Sequence, residues 1–172
     1  MPPTANPDLR EELLRRREAD QAPRRKARPG SSGDHSQLIA QMKTTAFENA
    51  EWLKEMIHTN GWPGQSFVGV DGADVAWLIA QHADHDPTFQ RECLELMEDA
   101  VRIGEASQSN LAYLTDRVLL NEHAMQRYGT QFRFSEKGIE PFPLEDPQRV
   151  DELRAGVGLI PLEEYRRSFL PP

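Results

Sequence analysis

The chain of 172 residues is poor in the features that most directly announce a function. It has one cysteine, Cys93, so no internal disulfide and no Cys-based metal knuckle can form. Cys93 falls on the apolar side of a helical pattern with no activating partner beside it, which reads as a small buried hydrophobe and not as a nucleophile. No apolar run approaches the ~18 residues needed to cross a bilayer. The opening MPPTANPDLREE also lacks the hydrophobic middle of a secretion signal, so the expectation is a cytoplasmic protein without membrane contact. A phosphate-binding glycine loop, a G-x-S-x-G elbow and internal repeats are all missing from the sequence, and no cofactor is assigned.

What is present in quantity is charge. The formal net charge is −8, but residues 1–28 carry eight Lys or Arg against five Asp or Glu, leaving 12 basic and 23 acidic residues for the rest. An acidic body repels phosphate, which argues against nucleic acid as the partner. The basic run around Arg24, Arg25, Lys26 and Arg28 reads either as a solvated tail or as a contact for an acidic partner.

Periodicity predicts a mainly α protein, a single-domain helical bundle with a small β-hairpin in the C-terminal third. Residues 1–22 read as an amphipathic helix with Leu9, Leu13 and Leu14 on one side, ended by Pro23. This helix could dock on its own body, pair with a second copy or meet a protein partner. Residues 23–35, rich in basic residues, Gly and Ser, read as a flexible linker, and 36–172 as the globular helical domain. Within that domain Ile39, Met42, Ala46, Ala50, Leu53 and Ile57 form one stripe, and Phe89, Cys93, Leu96, Ala100 and Ile103 another. Asp86-Pro87 and Asp146-Pro147 each pair an N-cap residue with a proline suited to the first helical position.

Two places hold polar groups that a plain helical core does not need. After Val75, Leu78 and Ile79, the next position on the inward face is His82, an imidazole where the stripe calls for a hydrophobe. The second place is the stretch from Asn110 to Phe134. A helix is expected there with Leu111, Leu114, Val118 and Met125 on its apolar side, Asp116 and His123 on a shared face, and a stop at Gly129, with Gln126, Tyr128, Thr130 and Gln131 crowding its end. His82 and His85 are spaced like helical metal ligands. The capping duty of Asp86 competes with ligation, however, and the further donors would have to be Asp116, Glu122 or His123, so no metal is assigned.

The set Gly61-Trp62-Pro63, Gln81-His82-Ala83-Asp84, Ala112 to Arg117, Gln126 with Tyr128 to Gln131, and Gly158-Leu159 with Pro161-Leu162 and Tyr165 resembles an uncharacterised bacterial family common in actinomycetes. Asp20-Gln21 fits the family's usual opening, which implies that the first helix belongs to the fold. The chain departs from that pattern at Glu122 to Gln126, where the resemblance would place a glycine and a shorter polar turn. The family implies no reaction.

Two functions follow from these residues. In one, His82 and Asp116 are the catalytic pair of a cofactor-free hydrolase, lyase or isomerase, and Gln81, Arg117, Gln126, Tyr128, Thr130 and Gln131 bind a small polar ligand. In the other, the polar cluster is structural and the protein is an interaction or regulatory module.

Overall fold

The computed structural model describes residues 4–27, 35–135 and 138–169. The chain forms two compact units, Met1–Ala106 and Ser107–Pro172, so the helical domain expected over 36–172 contributes to both.

The described residues of the first unit form four helices: α1 (Pro7–Lys26), α2 (Ser36–Asn60), α3 (Gln65–Gln81) and α4 (Pro87–Arg102). Asn6 caps α1 by accepting the Leu9 N–H at 3.0 Å. Leu13 is fully buried, and the helix lies against α2 and α3. Arg16 ties it to α2 by covering the Trp52 ring at 4.2 Å and donating to Asn49 Oδ1 at 3.1 Å. The helix does not stop at Ala22. Pro23 gives up the bond its missing N–H would have made to the Ala19 carbonyl, but its ring is buried and one more turn follows, to Lys26. Most of the expected linker, residues 28–34, lies outside the described residues.

In α2 the buried face runs from Ala46 through Ala50, Leu53 and Met56 to Ile57, while Ile39, two turns earlier, is exposed. Helix α3 is interrupted at Gly69, whose φ of 80° is left-handed. Asp71 restarts it, accepting the Gly72 N–H at 3.0 Å and the Arg10 Nε–H at 2.8 Å. Asp86 accepts the Phe89 N–H at 3.0 Å with Pro87 at the first helical position, the arrangement expected from the sequence. Phe89, Cys93, Met97 and Ala100 are buried along α4, whereas Ile103 lies past its end and is exposed. Burial pushes the Cys93 thiol far above its ordinary pKa, consistent with a hydrophobe's role.

The second unit contains α5 (Gln108–Asn121), an antiparallel hairpin of β1 (Phe132–Ser135) and β2 (Gly138–Pro141), and two short helices, α6 (Val150–Gly156) and α7 (Leu162–Arg167). Phe132 pairs with Pro141 and Ser135 with Gly138. Tyr165 of α7 packs edge-on against Tyr113 and Phe132. The expected long helix to Gly129 is corrected here, because α5 ends at Asn121. Its end is a Schellman turn in which the Ala124 N–H reaches Leu119 O at 2.8 Å and the His123 N–H reaches Leu120 O at 3.0 Å. His123 takes the left-handed position at φ 60°, and Met125, assigned to the apolar stripe, is exposed. No described helix is long and apolar enough to cross a membrane.

Candidate active site

Helix α5 carries Asp116 on its buried side, and the chain that follows wraps round this carboxylate. Asp116 Oδ1 accepts the N–H groups of Arg127 at 2.7 Å and Tyr128 at 2.9 Å. Its Oδ2 accepts the Thr130 N–H and the Thr130 hydroxyl, both at 2.9 Å. Arg154, fully buried on α6, takes the opposite side of the same loop, donating to the carbonyls of Tyr128 at 2.7 Å and Gly129 at 3.3 Å. One turn of backbone is thus held through its N–H groups by a carboxylate and through its carbonyls by a guanidinium. Gln126 closes the ends. Its side chain donates to Gln131 O at 3.1 Å and Phe142 O at 2.8 Å, and accepts the Gln131 N–H at 3.0 Å. Gly129 takes a φ of 64°, which favours glycine, and a β-carbon there would sit 2.8 Å from Leu162 Cδ1, so that the leucine side chain would have to move.

This arrangement brings Asp116, Gln126, Tyr128, Thr130 and Gln131 together and commits them to one another. Burial raises the Asp116 pKa above the usual carboxylate range, against the opposing pull of its four donors.

His82 has a different neighbour from the one expected. It is the C-cap residue of α3, and its Nδ1 lies 3.0 Å from Oδ1 of Asp20 on α1. The carboxylate that orients the imidazole is therefore Asp20, and Asp116 is engaged by donors of its own unit. Asp20 is only 3% exposed. It also accepts Gln21 Nε2 at 2.7 Å and both Arg24 Nε and Nη2 at 3.2 Å. Burial pushes the Asp20 carboxyl upward, but the bonds and charges of His82 and Arg24 outweigh it, and the net shift is downward. Asp20 is accordingly ionised at neutral pH. Since a carboxylate only accepts, the proton of a neutral His82 sits on Nδ1.

The ring of His82 lines an open cavity of about 630 Å³. Arg24, Lys43 and His85 bring basic groups to its wall, Asp84 an acidic one, and Ile39, Met42 and Phe47 the apolar part. His85 is held against Phe47 with ring centroids 5.3 Å apart.

Gln81, the other residue expected near His82, is buried, and its Oε1 meets no hydrogen-bond partner among the described residues. The α3–α4 turn beside it is fixed by Gln90, whose amide donates to Ala80 O at 2.9 Å. Arg117 lines a separate cleft of the second unit together with Gln131. Among the described residues, no three His, Cys, Asp or Glu side chains come together as a metal would require.

Sequence reasoning missed Asp20, Arg24 and Lys43. For Asp20 the signal was there: it stands seven residues beyond Leu13, on the face that Leu13 buries, and a carboxylate at such a position requires a partner. No curated protein and no solved structure matches the chain. The family model that does match, described as a family of unknown function, DUF6624, takes in residues 7–170, α1 with Asp20 included, and the chain belongs to that family.

Proposed function

We propose that the first unit is a small-molecule site with cofactor-free acid/base chemistry, in which His82 exchanges the proton and Asp20 orients and stabilises it. The observation that carries this reading is the pairing of a 3% exposed carboxylate with an imidazole that lines an open cavity. With Nδ1 committed to Asp20, Nε2 is the nitrogen left to take a proton from a substrate or from water. The imidazolium so formed lies against a fixed negative charge, which stabilises it. Arg24 and Lys43 favour a ligand with a negative or strongly polar group, and Ile39, Met42 and Phe47 favour an apolar portion. Hydrolysis, elimination and isomerisation are the reactions such a centre runs without a cofactor. Asp116, Gln126, Thr130 and Gln131 are scaffold in this reading.

A thermal-shift screen of small polar and amphipathic acids, amides and esters on wild type and His82→Gln tests the proposal, with turnover of the hits followed by NMR. His82→Gln is expected to fold, losing at most about 1–3 kcal/mol for one buried partner left unmatched, and to lose both the shifts and any turnover. Ligands that shift both proteins equally would sink the acid/base role. The exposure of Ile39 (49%) and Phe47 (53%) at the same cavity supports a second reading, a groove for another protein. In that case binding would depend on those two side chains and not on His82.

A further inference from the structure

We infer that α1 is a removable wall of the His82 cavity, docked through a clamp that the break in α3 creates. At Gly69 the chain takes φ 80° and ψ 162°, a conformation open essentially to glycine alone. In an unbroken helix the carbonyls of Ser66 and Phe67 would accept the N–H groups of Val70 and Asp71. Here they accept those of Ala5 and Asn6, at 3.3 and 2.8 Å, which ties the segment leading into α1 to the first turn of α3. Arg10 completes the clamp, because its guanidinium meets both oxygens of Asp71, the residue that restarts α3. A β-carbon at position 69 would crowd the same groups, standing 3.0 Å from Thr4 Cγ2, 3.1 Å from Asp71 Oδ1 and 3.4 Å from Arg10 Cδ.

A second tie joins the same two helices further along. Arg10 bonds Asp71 and Asp20 bonds His82, ten residues on in α1 and eleven on in α3, so the helices run parallel with ties about 15 Å apart. Between them the apolar attachment is thin. Apart from the ring of Pro23, Leu13 is the one apolar side chain of α1 that is buried, with Leu9 and Leu14 half-buried. A helix held by so little apolar surface opens as a unit before the core does. On the acid/base reading above, that opening switches the site off, since it takes away the carboxylate behind His82 and the Arg24 part of the cavity wall. Gly69, Arg10 and Asp71 line no part of that cavity, so they are positioning residues that act on it through α1.

The test is native-state amide hydrogen exchange of the full chain, followed residue by residue by NMR. In wild type, residues 11–24 of α1 are expected to exchange together, at least about tenfold faster than residues 89–100 of α4. Gly69→Ala should speed α1 by a further tenfold or so while α4 changes less than about twofold. Should that variant fail to fold, Arg10→Gln, which removes the charged fork, should speed α1 alone by about two- to fivefold, with Arg10→Lys between it and wild type. The acceleration in Arg10→Gln should be as large at residues 17–24 as beside the substitution, and His82→Gln should in turn speed residues 11–14, because ties that hold one unit are coupled in both directions. Exchange in wild-type α1 as slow as in α4, equal acceleration of both helices in the variants, or unchanged α1 exchange in Arg10→Gln overturns the removable wall. Acceleration confined to the substituted end overturns the coupling of the clamp to His82. None of these readouts uses a ligand or turnover, so the docking device and the acid/base chemistry of His82 stand or fall separately.

Discussion

Asp20 and Asp116 are both carboxylates that the fold takes out of water, yet their surroundings push them in opposite directions. Asp116 is met by three main-chain N–H groups and one hydroxyl, all neutral dipoles fixed by the loop they belong to, and burial still raises its pKa. Asp20 is met by an arginine, an imidazole and an amide, and its pKa falls. A carboxylate whose partners are backbone is a structural staple, since nothing around it can change charge. One whose partner is a histidine facing an open cavity holds a ring that solvent and ligands can reach.

The largest effect should come from breaking the closed site. Asp116→Ala leaves the N–H groups of Arg127, Tyr128 and Thr130 without their acceptor and removes one of the negative charges near Arg154, the other being Asp151. Urea melts should record a loss of about 3–5 kcal/mol, with the amide resonances of residues 126–131 collapsing first. A loss under about 1 kcal/mol would mean that water replaces the carboxylate and that the loop is held elsewhere.

Asp20→Asn should cost less at pH 7, about 1–2 kcal/mol, and its deficit should depend on pH. Because the folded pKa of Asp20 is depressed, its contribution is complete above the ordinary carboxylate value of about 3.9 and is lost as pH falls through the lower folded value. The stability gap between wild type and variant should therefore close on acidification below about pH 4. A gap that stays constant down to pH 2 would contradict the ion pairing. The smallest effect belongs to Phe47→Ser on the cavity wall, where the ring is already 53% exposed. Stability should move by about 0.5 kcal/mol or less, while any ligand found for the Asp20–His82 cavity should bind more weakly.

Much of the architecture could be read from spacing alone, and the failures have specific physical causes. The Asp86-Pro87 cap, the α4 stripe as far as Ala100 and the hairpin are local patterns, and local patterns survive folding. The end of α5 was hidden because a histidine does there what glycine usually does, so the apolar period seemed to run on to Met125. Pro23 misled in the opposite sense: burial of its ring lets α1 continue past a residue that normally ends a helix. The clustering of Asp116, Gln126, Thr130 and Gln131 was visible in the sequence because they are close along the chain. The partnership of Asp20 with His82 was not, because 62 residues separate them and only the docking of α1 onto α3 brings them together.

That separation has a consequence for biogenesis. Helix α1 leaves the ribosome before α3 exists, so it must wait, marginally stable on its own, until its docking surface has been made. Until then His82 has no carboxylate behind it, and closing a loop of this length is the entropic toll of acquiring one. The contact between the Asp20 and His82 side chains therefore reports the docking of α1, and any chain in which that helix is still undocked lacks it.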